Sequence, residues 1–326
     1  MRKGLLAAGM FVMAFAIACG VGGCRRRPGA EPPPPVRIGY IKVSSCLPFF
    51  VCLEKGYFKD EGVRVEPVFC ADSNEGGNAL IAGHLDGVAG FGLSTLFSIE
   101  EISPGKFKIY LPCVETESKY VNKFLVLKNS PIHSVRQLKG KRVGTYEGTS
   151  LLKVLKLILE AYGLDPEKDV TIIQVGKALQ IPSLLARQFH ALFTIEPYCS
   201  VGLEKAEIAV LEENPRGRVL TPFPAGANAF SDEFITARPD DAKKIVGAFI
   251  KAVGYIKKNE IEAKALLPKY CPVEKAVAEK SNIYEWWKPS ETDVSALQRY
   301  ADLMLRMGEL RKKIPVGKMI FRGSFE

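Results

Sequence analysis

The stretch Leu80–Thr95, LIAGHLDGVAGFGLST, carries the hydrophobic pattern that organises the chain. Leu80, Ile81 and Leu85 are the apolar positions of a helix end, and Gly83 suits the left-handed conformation that terminates one. Val88–Phe91 is a short unbroken apolar run, as expected of a strand buried on both faces. Gly92, Leu93, Ser94 and Thr95 then read as a loop that brings backbone N–H groups and two hydroxyls to the carboxyl end of that strand. Open α/β sheets bind ligands at this edge. The pattern returns about a hundred residues later in Leu184–Pro197, LLARQFHALFTIEP, where Leu184-Leu185-Ala186 matches Leu80-Ile81-Ala82 and His190–Phe193 falls opposite Asp86–Ala89. Two related helix–strand–loop units predict an α/β chain with two lobes facing each other across a cleft.

The same periodicities place the remaining elements. Val36–Ile41 is a strand, and Pro48 suits the first turn of a helix running to Glu54 or Tyr57. Val63–Phe69 is the next strand, so strand, helix and strand form a right-handed parallel unit. Asp72–Gly77 reads as a polar loop before a helix over Asn78–Ala82. Beyond it, Lys123–Lys128, Arg142–Thr145, Val170–Val175 and Ala191–Ile195 are strands, and Leu151–Tyr162 and Leu179–Ala186 are helices. From Pro239 the chain turns helical, over Asp240–Asn259, Glu262–Tyr270, Pro272–Tyr284 and Thr292–Met307. Leu297, Tyr300, Ala301, Met304 and Leu305 share one face, the spacing of a core stripe. Tyr284, Trp286 and Trp287 fit packing of this helical segment better than a cleft wall.

The N-terminus has its own pattern. Arg2 and Lys3 precede an apolar run from Leu5 to Ala18, the layout of a signal peptide over 1–23 and too short for a confident membrane span. Val21-Gly22-Gly23-Cys24 resembles a lipobox that would make Cys24 the lipidated N-terminus. Ala16-Ile17-Ala18-Cys19 competes with it. Arg25–Arg27 and the proline-rich 28–35 suit a tether, because polyproline is a semi-rigid spacer. The expected product is exported and held by lipid at the outer face of a cell membrane.

Composition narrows the classes. The 326 residues are 47% hydrophobic, ample for a core, and the net charge is +9. The basic residues alternate with acidic ones, as in Glu54-Lys55 and Lys59-Asp60, without an aromatic-interleaved patch, so nucleic acid is not an expected partner. Past Cys24 six cysteines remain, at 46, 52, 70, 113, 199 and 271. None has the Cys-x2-Cys spacing of a zinc site, so no metal is expected. Free, partly buried thiols are preferred over disulfides, with Cys46–Cys52 the pair to examine first. The three histidines, His84, His133 and His190, fall in turns. No Gly-x-Ser-x-Gly elbow, phosphate loop or His-Glu-x-x-His is present, so neither catalysis nor a cofactor is indicated.

Ile38-Gly39-Tyr40, Leu47-Pro48-Phe49-Phe50, Glu54–Val63 (EKGYFKDEGV), Leu80–Gly90, Ser134–Gly144 and Thr194–Tyr198 resemble the bacterial ABC-transporter solute-binding proteins for nitrate, sulfonates, taurine and thiamine pyrimidine precursors. The resemblance implies a type II periplasmic-binding-protein-like fold with a hinge and a C-terminal helical segment. Lobe I would comprise 36–122 and 238–326, and lobe II 123–237. The segment Ala227–Ala237 would pair with Phe124–Leu127 before the chain returns to lobe I. The implied partners are a small-molecule solute and a membrane permease, with the protein acting as a monomer. Thiamine-precursor synthases resemble the same fold and are the alternative of another class, but their cysteine-rich motif is missing.

The expected ligand-binding residues are Ser44, Ser45, Phe49, Gly92, Ser94, Thr95, Glu115, Tyr146, Glu147, Thr149, Ser150 and Glu196. Thr149 or Ser150 is also expected to cap the helix that follows. Carboxylates accept bonds from amines, and aromatic faces stack on planar rings. The set therefore points to a thiamine pyrimidine precursor or a similar amine-bearing heteroaromatic. A taurine-like sulfonate or nitrate is the alternative.

Overall fold

Short apolar runs and amphipathic helices condense into two mixed sheets. The structure is a computed structural model that describes residues 33–323. The expected signal segment 1–23, Cys19, Cys24 and most of the tether lie outside the described residues. Strands β1 (Val36–Tyr40), β2 (Val65–Phe69), β3 (Gly87–Gly92), β4 (Phe107–Glu115), β10 (Phe223–Ser231) and β11 (Glu285–Trp286) form the first sheet, in the order β11-β4-β10-β3-β1-β2. Strands β5 (Asn122–Leu127), β6 (Lys141–Tyr146), β7 (Val170–Val175), β8 (Ala191–Ile195) and β9 (Ile208–Glu213) form the second, in the order β7-β6-β8-β5-β9.

The two sheets repeat one plan. β1 lies between β2 and β3, parallel to both, and β6 lies between β7 and β8 in the same way. Each trio then meets an antiparallel strand, β10 beside β3 and β5 beside β8. The echo between Leu80–Thr95 and Leu184–Pro197 is therefore the echo of β3 and β8, which hold the same place in the two sheets.

The pairing expected of Ala227–Ala237 is overturned. β10 joins the first sheet, with Ala227 opposite Phe91 and Asn228 opposite Tyr110. The edge of β5 is taken instead by β9, with Leu125 opposite Val210. Burial explains the choice. Phe230 stacks on Tyr110 at 4.1 Å between ring centres and meets Phe234 and Phe321, all in the first lobe. The chain thus rejoins the first sheet at Phe223, ahead of residue 238. Two crossovers, between β4 and β5 and between β9 and β10, link the sheets.

Other differences are local. Ser73–Ile81 is helical, so most of the expected Asp72–Gly77 loop is not a loop. Asp72 caps this helix by accepting from Asn74 N and Glu75 N at 2.8 and 2.9 Å. Gly76 and Gly77 are packing requirements, because a Cβ at either would come within 2.2 Å of Phe91 or Ile99. A helix over Leu93–Ile102 begins where a loop was expected. Strands β4 and β9 lie where no strand was expected. Only Lys275–Lys280 of the segment Pro272–Tyr284 is helical.

The helix Leu47–Lys55 carries Pro48 in its first turn and stops at Gly56, whose φ is +72°. Its Phe49 and Phe50 join Phe58 and Phe249, from the helix Pro239–Lys258, in an aromatic core. All six cysteines from Cys46 to Cys271 are free and buried. Asp86 accepts from Arg37 N at 2.7 Å and pairs with its guanidinium at 3.1 Å, fixing the turn before β3. Among the described residues no helix is long and apolar enough to cross a membrane.

Candidate functional site

Two helix starts meet between the sheets. β3 ends at Gly92, which is the N-cap of Leu93–Ile102, and no side chain caps that helix. β6 ends at Tyr146, and Glu147 and Gly148 lead into the helix Thr149–Ala161, whose N-cap is Gly148, again without a side-chain cap. The capping expected of Thr149 or Ser150 is therefore not made. These residues lie inside the first turn, and their hydroxyls reach across to the other lobe. Ser150 Oγ lies 2.6 Å from Ser94 Oγ, and Thr149 Oγ1 accepts from Asn74 Nδ2. The approach is close enough that a Cβ on Gly92 would fall 2.0 Å from Ser150 Oγ. Uncapped helix N-termini present N–H groups and the positive end of the helix dipole, which favour a negative group.

A cavity of about 40 Å³ lies between these helix starts. The first lobe contributes Ser45, Ser73, Asn74, Gly92 and Thr95, and the second contributes Tyr146, Glu147, Gly148, Thr149, Ser150 and Lys177. Arg216 and Tyr284 complete the wall.

Arg216 is one of two cations of this wall, and it is 4% exposed. It sits in the crossover between β9 and β10 and pairs with Glu115, the last residue of β4. Asn122 ties the two crossovers together: its Nδ2 donates to Glu115 Oε2 and to Asn214 Oδ1, and its Oδ1 accepts from Arg216 N at 3.1 Å. Burial opposes the Arg216 charge, but the Glu115 carboxylate and the Tyr284 phenol more than offset it, so the guanidinium is held firmly protonated. Its Nε has no hydrogen-bond partner. A buried donor left unmade costs about 1–3 kcal/mol, more when charged, so this N–H is primed for an acceptor. Lys177 is the other cation of the wall. Burial lowers its pKa, and its Nζ donates to Ala71 O across the cleft.

Of the twelve expected residues the cavity brings together Ser45, Gly92, Thr95, Tyr146, Glu147, Thr149 and Ser150. Ser94 lies just behind, in the lobe-to-lobe contact. The other four are engaged elsewhere. Ser44 Oγ donates to Glu196 O at 3.1 Å. Phe49 is in the aromatic core, and Glu115 is paired with Arg216. Glu196 accepts from Ser200 N and Oγ, each at 3.0 Å, and from Asn282 N at 3.4 Å. Burial raises its carboxyl pKa. Two of the three carboxylates that pointed toward an amine are therefore committed within the protein, and the third, Glu147, lines the cavity. Asn74, Lys177, Arg216 and Tyr284 line the cavity without having been expected there.

The chain is similar to curated relatives and to solved structures. A putative aliphatic sulfonates-binding protein of Bacillus subtilis is 28% identical, across 98% of this chain and 95% of the relative. A putative thiamine biosynthesis protein of Haemophilus influenzae is 25% identical, across 81% of this chain and 83% of the relative. Among solved structures, the alkanesulfonate-binding protein SsuA from Xanthomonas axonopodis pv. citri, bound to MOPS, superposes with a TM-score of 0.74 at 21% identity. It covers 90% of this chain and all of its own. The architecture is the periplasmic-binding-protein fold. The NMT1-like family matches residues 29–267, most of the chain, and the chain belongs to that family.

Proposed function

We propose that this protein is the solute-binding component of an ABC importer and that its solute carries a compact oxyanion, of which a sulfonate is the best fit. The observation that carries the reading is the buried Arg216, which lines a cavity between two uncapped helix starts and whose Nε has no partner. The Thr149 hydroxyl, which accepts from Asn74 Nδ2 and keeps its own hydrogen, supplies a further donor. The sulfonate-binding relative, matched almost end to end, supports the same class.

The closed geometry explains capture. Ser94 and Ser150, Asn74 and Thr149, and Lys177 and Ala71 O join opposite lobes at the cavity rim. A solute seated between the helix starts adds contacts that exist only when the lobes are shut, so it draws the equilibrium toward the closed form. Release is opening about the Glu115–Asn122–Asn214–Arg216 crossovers. The function is binding, not catalysis. Burial raises the pKa of each cysteine, Cys46 to about 12 and Cys70 to about 11, so none supplies a thiolate nucleophile at neutral pH. Export, with lipid anchoring through Cys24 and a membrane permease as partner, completes the proposal.

Rings at Tyr146 and Tyr284 favour a second reading, the pyrimidine precursor. A thermal-shift screen in a buffer free of sulfonate and phosphate separates the two. A ligand at a hundred times its Kd adds about 2.7 kcal/mol of stability. Alkanesulfonates should raise the melting temperature and pyrimidines should not; the reverse result contradicts the proposal.

A further inference from the structure

The inner cavity shares part of its wall with a second space. Asp72, Glu147 and Lys177 line it and also line an outer recess of about 600 Å³. The two volumes suit different things. The inner cavity, about 40 Å³, is small and suits the head of an anion. The recess falls in the range of sites for drug-sized ligands, ~300–1,000 Å³. Their walls differ as well. Besides the shared Asp72, Glu147 and Lys177, the inner wall has hydroxyls, helix starts and Arg216, whereas the outer one has Phe69, Tyr198 and Tyr270 with Lys42 and Lys269.

Phe69 ends β2 with its ring half exposed, at 50%. Lys42 Nζ stands 4.6 Å from the centre of that ring. Lys177 occupies the junction of the two spaces. It comes from the second lobe, donates to Ala71 O of the first, and lies 5.3 Å from the centre of the Tyr146 ring. A nitrate or methanesulfonate would use the inner space alone.

We infer that the solute is elongated: its oxyanion fills the inner cavity, and an aromatic or bulky apolar tail lies in the outer recess against Phe69 and Tyr270, with its neck beside Lys177. This rests on the oxyanion reading above. It makes the tail the determinant of selectivity, because flat rings stack on aromatic side chains and bury apolar area that a methyl group cannot.

Titration calorimetry of the wild-type protein and Phe69→Ala with methanesulfonate, butanesulfonate, benzenesulfonate and naphthalene-2-sulfonate tests the inference. The wild type should bind an aryl sulfonate about tenfold or more tighter than methanesulfonate. Phe69→Ala should shrink that ratio to about threefold or less while leaving methanesulfonate within about twofold of wild type. The unchanged methanesulfonate affinity shows that the variant is folded. Equal affinity for all four sulfonates, or an equal loss for all four in Phe69→Ala, overturns the inference and leaves the oxyanion reading standing. If no sulfonate binds at all, the oxyanion reading falls and takes this inference with it.

Discussion

Removing the Arg216 guanidinium should damage folding and binding in separable ways. Arg216→Met leaves the Glu115 carboxylate at 1% exposure without its cation, with only Asn122 Nδ2 and Val121 N to satisfy it. Breaking a buried ion pair by removing one partner costs about 3–5 kcal/mol. Urea unfolding should show a loss of that size. Adding Glu115→Gln takes the stranded charge away while keeping an oxygen for the same two donors, so the double variant should recover most of the stability. It should not recover binding. Hydrogen bonds to charged groups contribute about 1.5–3 kcal/mol, so sulfonate affinity should stay about 10- to 100-fold below wild type. Calorimetry on the refolded double variant reads this directly. A double variant that binds sulfonate as tightly as wild type, or an Arg216→Met that costs less than about 1 kcal/mol, would refute the role given to Arg216.

Three further expectations follow from the same geometry. Gly92→Ala places a methyl 2.0 Å from Ser150 Oγ and should hold the lobes apart, so that small-angle scattering no longer shows compaction on adding sulfonate. Gly92→Ala with Ser150→Gly should restore it, and an undisturbed closure in the single variant would contradict the contact. Glu196→Ala strands the Ser200 and Asn282 donors and should cost about 1–3 kcal/mol of stability, with little change in binding once folded. Because burial raises the Glu196 carboxyl, the folded chain holds that proton more tightly than the unfolded one, so its contribution to stability is lost as pH rises above the ordinary carboxylate range. Glu196→Gln should lack that decline in a series of melts against pH. The six cysteines from Cys46 to Cys271 should resist iodoacetamide at pH 8 until urea unfolds the chain, as read by peptide mass mapping, and fast labelling of the native protein would contradict their burial.

Period and composition carried most of the scaffold. Val88–Phe91 and Ala191–Ile195 are apolar on both faces, which only a covered strand tolerates, and their similarity revealed the repeated plan. The site was harder to see. Asn74 lies among Ser73, Gly76 and Gly77, a composition that reads as a loop, and only the packing of Phe91 and Ile99 explains why glycines are needed in that helix. Arg216 stands in Asn214-Pro215-Arg216-Gly217-Arg218, which has the composition of a solvated turn. Its burial comes from Glu115 and Asn122, about a hundred residues earlier, and no local pattern reports such a distant partner. Glu115 and Glu196 were recognised as carboxylates near the cleft, but sequence could not say that each was already committed. The sheet that β10 joins is not legible locally, because Phe223, Phe230 and Phe234 would fit either core; the aromatic neighbours in the first lobe decide it.

The most direct test of the central claim is a crystal structure of the protein with 2-bromoethanesulfonate. The account predicts the sulfonate between Gly92–Thr95 and Gly148–Ser150 with an oxygen accepting from Arg216 Nε, and an anomalous bromine peak toward Lys177. A sulfonate bound outside the cleft, or a cavity whose Arg216 makes no contact with it, would contradict the account.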